Sequence, residues 1–382
     1  MLCEDPPNII ILDNGGGSVK AGFNKESIPY CTIQTIVGRP VLQGPGWWIG
    51  DYKTHYVDTF KECDTTLRIK HPIEGGIITN WDDMECVWHH VFYNQLLIAP
   101  EEHPILLTEQ PLNPKANREK MRQIMFETFN TPALYIANSA ILSLYGTGRT
   151  TGIVLETGHT ASNVVPIIHG NSLPHAINRL NVTGSKLTDY LTKCLSQHNP
   201  HSFQCQGQTE RDNVRHIKEK LSYVSLNYQS SDTLTSSYQL PDGKVISLGN
   251  ELFRCPEILF QPSLLLSNSD PLDTCQPTSL GIHESICSSI NKCDIDIRKH
   301  MYGNIVLSGG NSLFPGMRER LEKEISLLST LANKVIAPTG RKFLPWIGGA
   351  NLASLSTFSK MWTSKEEYDE SGPTIIHCRK CF

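Results

Sequence analysis

Ile9-Ile10-Ile11-Leu12-Asp13-Asn14-Gly15-Gly16-Gly17-Ser18-Val19-Lys20-Ala21-Gly22-Phe23 is an apolar run, a carboxylate, a turn of small residues and a second, half-apolar run. About 140 residues later the pattern returns, a spacing that suggests an internal duplication. The second copy is Gly152-Ile153-Val154-Leu155-Glu156-Thr157-Gly158-His159-Thr160-Ala161-Ser162-Asn163-Val164-Val165-Pro166. Each stretch predicts two strands joined by a tight turn. Glycine-rich turns let backbone N–H groups converge on an anion, and a carboxylate beside the turn can hold a hydrated magnesium ion. Two such hairpins facing each other would clamp the phosphates of a nucleotide from both sides. They are not equally well made, and the functional question lies in that difference.

Between the copies the chain alternates strand and helix signals. Asn80-Trp81-Asp82-Asp83-Met84-Glu85 predicts a helix start, with Asn80 as N-cap and acidic residues at the positive helix end. Ile105-Leu106-Leu107-Thr108-Glu109 predicts a short buried strand. Lys115 to Phe129 has helical spacing at Met121, Ile124, Met125 and Phe129, and residues 133–145 predict a further, mostly apolar helix. The order points to two related α/β halves. In the second half, Arg211 to Tyr223 predicts a charged helix. Ile305-Val306-Leu307-Ser308-Gly309-Gly310-Asn311 predicts a strand entering a glycine turn that a flat ring could approach, with a helix from Met317. Polar stretches at 197–209, 228–237 and 266–279 predict surface loops. Residues 40–54, with Trp47 and Trp48 among glycines and prolines, predict a loop whose apolar tip is better suited to a partner than to a core.

The 382 residues suffice for two domains with large cores. A net charge of −4 with 39% apolar residues points to a soluble globular chain and gives no basic excess for nucleic acid. No apolar run approaches the ~20 residues of a membrane span, and Met1 to Pro7 lacks the character of a signal peptide. Twelve cysteines in a chain this large predict reduced thiols in cytosol or nucleus. The Asn181-Val182-Thr183 sequon is then a chance match. Cys378 and Cys381 form a lone Cys-x-x-Cys beside His377, read as an exposed thiol pair rather than a metal or redox site. The pair His89-His90 is read as structural, and His198, His201 and Cys205 lie in a loop too loose to hold a metal.

Longer segments carry a specific resemblance. They are Asn80-Trp81-Asp82-Asp83-Met84, Ala99-Pro100-Glu101-Glu102-His103-Pro104, Leu112-Asn113-Pro114-Lys115-Ala116-Asn117-Arg118-Glu119-Lys120-Met121 and Gly148-Arg149-Thr150-Thr151-Gly152. Leu307-Ser308-Gly309-Gly310, Trp346-Ile347-Gly348-Gly349 and Arg379-Lys380-Cys381-Phe382 extend them. On these the chain resembles actin over nearly its whole length, as a divergent member. The resemblance implies an α/β, actin-like fold of duplicated RNase H-like domains, with ATP or ADP and Mg2+ or Ca2+ in the cleft between them. It places 1–34, 72–146 and 344–382 in subdomain 1 and 35–71 in subdomain 2. Residues 147–182 and 280–343 fall in subdomain 3, and 183–279 in subdomain 4.

By the same resemblance, Asp13 and Glu156 are the cation-side carboxylates, acting through water. Gly15, Gly16, Gly17, Ser18 and Lys20 line the first phosphate turn, and Thr157, Gly158 and His159 the second. Gly184, Arg215, Lys218, Glu219, Gly309, Gly310, Asn311, Phe314 and Lys342 match residues around ribose and base, with Phe314 replacing a tyrosine.

The departures concentrate on catalysis. Ser139 stands where actins have the glutamine that orients the attacking water, and Asn163 where they have a histidine that helps relay its proton. A serine hydroxyl is about two side-chain bonds shorter and cannot replace the two-ended hydrogen bonding of the amide. Glu156 and His159 replace aspartates, and Gly16 replaces a serine. Phosphate binding by backbone donors survives such changes; water positioning by side chains does not. A lost group of this kind typically costs ~10²–10⁴-fold in rate.

Filament surfaces differ as well. Trp47 and Trp48 enlarge the tip that actin inserts into the next subunit. The groove receiving it keeps Tyr145 and Leu352 but has Asn171 for a tyrosine and Asn351 for an isoleucine. The plug loop at 264–279 is longer and more polar, 228–237 is shorter, the acidic N-terminus is reduced to Glu4 and Asp5, and Gly75 replaces a histidine. The expected function is a cytoplasmic, cytoskeletal actin-like subunit that binds ATP, hydrolyses it weakly, and meets other actin-family subunits or actin-binding proteins. A nuclear or axonemal setting is compatible with it. The alternatives are a working ATPase with hydrolysis-driven polymerisation, and a nucleotide-free scaffold in an axonemal, dynein-associated or chromatin complex.

Overall fold

The computed structural model describes residues 8–40, 56–58, 67–198, 208–228, 236–241, 243–268 and 280–372. The chain divides into two compact units. The first is Met1–Thr150, His169–Ser172 and Phe343–Phe382; the second is Thr151–Ile168 and Leu173–Lys342.

The first unit is built on a six-stranded sheet in the order Thr363–Ser364, Ala133–Asn138, Ile105–Glu109, Ile10–Asn14, Ser18–Phe23, Cys31–Gln34. Ile10–Asn14, Ile105–Glu109 and Ala133–Asn138 run parallel, and the strands after the first hairpin turn are antiparallel. Its central strands are apolar without interruption because both faces are covered. Ile10, Leu12, Ile105, Leu107, Leu134 and Ile136 face one core, with Trp88, Phe92 and Phe126. Ile9, Ile11, Leu106, Tyr135 and Ala137 face the other, with Leu142, Trp346 and Phe358. That period of two is the strand signature.

The structure corrects one element. Residues 133–145 are not one helix but the strand Ala133–Asn138 followed by the helix Ser139–Tyr145. A short apolar run buried on both sides looks the same in either state, and pairing with Ile105–Glu109 decides it. Asn138 ends the strand and caps the helix, its side chain accepting from the Ala140 amide at 2.9 Å. The expected start at Asn80 is present: Asn80 caps Trp81–His89, accepting from the Asp83 amide at 3.1 Å.

Helix Leu344–Ala353 lies against Ser139–Tyr145 at unusually short range. A Cβ on Gly348 would sit 1.8 Å from the Leu142 carbonyl oxygen, and one on Gly146 2.8 Å from the Leu344 side chain. Two glycines inside a helix cost about 1 kcal/mol each in propensity. The approach of that backbone requires Gly348, and the Ile11 side chain, 3.0 Å from where a Cβ on Gly349 would stand, crowds the second glycine.

The second unit repeats the arrangement. Gly152–Thr157 and Ser162–Ile168 form the hairpin; Ile305–Ser308 and then Val335–Ile336 lie parallel beside its first strand, and Asn178–Leu180 pairs with its second. Helices Gly184–His198, Gln208–Leu221, Ile282–Asn291 and Met317–Leu328 bring Leu187, Leu191, Ile217, Ile286 and Leu321 onto Ile153 and Leu155. No helix among the described residues is long and apolar enough to cross a membrane.

His283 carries a pH dependence. Its ring lies 5.8 Å from that of Phe260, and its buried Nδ1 has no hydrogen-bond partner among the described residues. Burial holds its pKa below the ordinary 6.5, against the opposing pull of Glu284 and Glu324. The unfolded chain therefore binds the proton more readily, so stability falls as pH drops through 6.5 towards the folded value. Between about pH 7.5 and about pH 5.5 the unfolding temperature of the wild type is expected to fall more than that of His283→Leu. Parallel curves in thermal melts would remove His283 as the cause.

Candidate functional site

Both hairpins present their carboxylate at the carboxyl end of a parallel strand, where open α/β sheets bind ligands. In the first unit the pairing sets Asp13 directly opposite Lys20. Lys20 Nζ donates to Asp13 Oδ2 at 2.9 Å, and Thr108 Oγ1 donates to Asp13 Oδ1 at 2.9 Å. The carboxylate is buried, yet each oxygen keeps a lone pair beyond these bonds. Gly15, Gly16, Gly17 and Ser18 form a half-exposed turn. A Cβ on Gly15 would stand 2.6 Å from the Ser18 carbonyl oxygen, so the turn closes only on glycine there. Thr35 Oγ1 pins it, donating to the Gly15 carbonyl at 2.6 Å.

Behind Asp13, Asn14, Thr108, Glu109, Asn113 and Asn117 help to line a cavity of about 20 Å³, room for one water. Glu109 is fixed there by Arg118, whose Nε donates to it at 2.7 Å, and by Asn113 Nδ2 at 3.0 Å. Ser139 is buried, 3% exposed, as the first residue of its helix.

In the second unit Glu156 lies opposite Asn163, and both are buried. The turn closes by Gly158 N–H donating to the Ala161 carbonyl at 2.8 Å. The Gly158 carbonyl in turn accepts from Gly184 N at 2.9 Å and from Asn311 Nδ2 at 2.8 Å, while the His159 carbonyl accepts from Ser185 N at 2.9 Å. The turn is thereby tied to the start of helix Gly184–His198 and to the loop after Ile305–Ser308.

The residues expected around a nucleoside come together in this unit in part. Lys218, only 2% exposed, donates to the Gly184 carbonyl at 2.8 Å and to Thr188 Oγ1 at 2.9 Å, leaving one ammonium donor. Burial lowers its pKa. Arg215 Nε donates to Glu219 Oε1 at 3.3 Å on the next turn. Gly309 has φ +88°, and at Gly310 a Cβ would meet nothing within 4 Å, so a flat ring has open backbone to approach. Lys342 is half-buried. Phe314 is buried and packs in the hydrophobic core with Leu187 and Met317.

Taken unit by unit, the residues present suit the expected ligand: the first unit has a buried carboxylate with a lysine beside its glycine turn, and the second has a buried carboxylate at its turn and open space at Gly310. Among the described residues no group of three or more His, Cys, Asp or Glu side chains could hold a metal directly.

Of the residues expected to meet a partner, Tyr145 lies against Gly170, where an added Cβ would stand 2.2 Å from its hydroxyl. Asn171 and Asn351 are exposed, and Leu352 is buried in the core with Trp346. Trp47, Trp48, Glu4, Asp5, Cys378, Cys381, His201 and Cys205 lie outside the described residues, as does most of 264–279. Sequence reasoning missed Thr108 and Trp88, which tie the first hairpin from behind. The available signal for Thr108 was a hydroxyl in the buried strand Ile105–Glu109.

A hairpin with a carboxylate at its glycine turn, repeated on two sheets of like topology, defines a duplicated α/β protein. The family model for actin matches residues 4–382, and the chain belongs to the actin family.

Proposed function

We propose that this actin-family chain binds ATP with a divalent cation, hydrolyses it slowly, and acts as a cytoskeletal subunit in a specialised filament or a larger assembly. The carrying observation is the contrast between the two kinds of group. The binding groups are anchored: Asp13 by Lys20 and Thr108, Gly158 by Gly184 and Asn311, Lys218 by Gly184 and Thr188. The positions that would order the attacking water carry Ser139 and Asn163, neither of which is a base near neutral pH. A bound cation would neutralise phosphate charge. The chain's own residues would hold the nucleotide and exclude solvent, and the binding energy would add to stability by mass action.

Nucleotide content and phosphate release of the purified chain in magnesium test this reading. Retained ATP with slow release is expected, and Ser139→Gln is expected to raise the release rate about tenfold or more. That gain is below the full value of such a group because Glu156, His159 and Asn163 remain changed. Bound ADP with steady release, unmoved by the variant, would show that other groups position the water.

A further inference from the structure

We propose that Thr108 is a positioning residue that sets how tightly the Asp13 carboxylate holds a hydrated divalent cation; this rests on the nucleotide reading above. The hydroxyl has one hydrogen and two acceptor sites. The Asn14 backbone amide, which can only donate, reaches Thr108 Oγ1 at 2.9 Å. The hydroxyl oxygen must accept there, and its single hydrogen is left for Asp13 Oδ1 at 2.9 Å.

The Asn14 side chain is oriented just as firmly. The Trp88 indole N–H, a donor only, reaches Asn14 Oδ1 at 3.0 Å, which turns Asn14 Nδ2 towards the Thr108 carbonyl at 3.3 Å. Trp88, Asn14, Thr108 and Asp13 are all buried. Asn14 is therefore tied to Thr108 twice, and its backbone amide fixes the direction in which the hydroxyl meets the carboxylate, opposite the pull of Lys20 on the other oxygen. Without the hydroxyl, Asp13 keeps its ion pair with Lys20 and loses the bond that holds its second oxygen. The lysine then competes with the cation for both. Groups that orient a metal-side ligand in this way are typically worth 10–100-fold in affinity.

The test follows calcium release from the ATP- and calcium-loaded protein into excess fluorescent chelator. Thr108→Val, close in shape but without the hydroxyl, is expected to release calcium about 10–100-fold faster. Thr108→Ser, which restores the hydroxyl, should stay within about threefold of wild type. Should Thr108→Val fail to fold, as judged by thermal melting, Thr108→Ala takes its place with the same expectation. Equal rates for wild type and the hydroxyl-free variant overturn the assignment while leaving the nucleotide reading standing. So does a serine variant as fast as the valine one. A wild-type chain that retains no calcium in the presence of ATP overturns both.

Discussion

Glu257→Ala is expected to lower the unfolding temperature of the second unit by roughly 10 °C. Glu257 is fully buried and carries the only carboxylate that meets Arg320 with both oxygens among the described residues: Nη2 donates to Oε1 at 3.0 Å and Nη1 to Oε2 at 3.1 Å. Arg320 also donates to the Ser225 carbonyl at 2.6 Å and to Glu324 at 2.7 Å, and its guanidinium lies 4.9 Å from the centre of the Phe260 ring. Removing one partner of such a pair leaves a charge in a site that water cannot reach, at a cost of about 3–5 kcal/mol. Per kcal/mol, a domain of this size shifts by about 2–4 °C.

The pair bolts helix Met317–Leu328 to helix Glu251–Glu257, and the loop just before Met317 carries Gly309 to Phe314. Loss of the pair should therefore loosen that loop before it unfolds the unit. Glu257→Leu combined with Arg320→Met, which removes both charges, should recover most of the loss. A single variant that melts within about 3 °C of wild type would show that Glu324 alone satisfies the guanidinium.

The hairpins were legible because their chemistry is local. An apolar run, a carboxylate and glycines in sequence leave little choice of structure, and the pairing of Asp13 with Lys20 follows from the turn length. The N-cap at Asn80 was legible for the same reason. Strand Ala133–Asn138 was not, because its identity depends on pairing with Ile105–Glu109, some 30 residues away, rather than on its own periodicity. Phe314 shows a second limit. The motif supplies a ring at that position, but its packing among Leu187 and Met317 depends on residues distant in sequence. Thr108 shows a third: a hydroxyl in a buried strand acquires meaning only when the neighbouring strand supplies a carboxylate and an amide.

Gly309→Ala is expected to abolish nucleotide retention and to destabilise the second unit, whereas Gly310→Ala should spare the fold. At Gly309 φ is +88° and ψ 163°, a region essentially reserved for glycine that costs a residue with a Cβ about 1–3 kcal/mol. The added carbon would stand 2.4 Å from the Thr157 carbonyl oxygen and 2.8 Å from its carbon, both backbone atoms that no side-chain rotation can move aside. Overpacking of that kind adds about 1–3 kcal/mol. Relief requires Ile305–Ser308 to part from Gly152–Thr157 at their carboxyl ends, where Asn311 reaches the Gly158 carbonyl. The strain thus falls on the turn assigned to phosphate. At Gly310 a Cβ meets nothing within 4 Å, so the alanine fits the protein as it stands. Its methyl group occupies the space through which a flat ring would approach the backbone. Thermal melting without nucleotide separates the two variants, and ATP retention after gel filtration reads the site. Gly310→Ala with an unchanged melt and weakened ATP retention is the expected signature of a base resting on that glycine. Unchanged retention in Gly310→Ala would place the base elsewhere, and unchanged retention in Gly309→Ala would remove this loop from the site altogether.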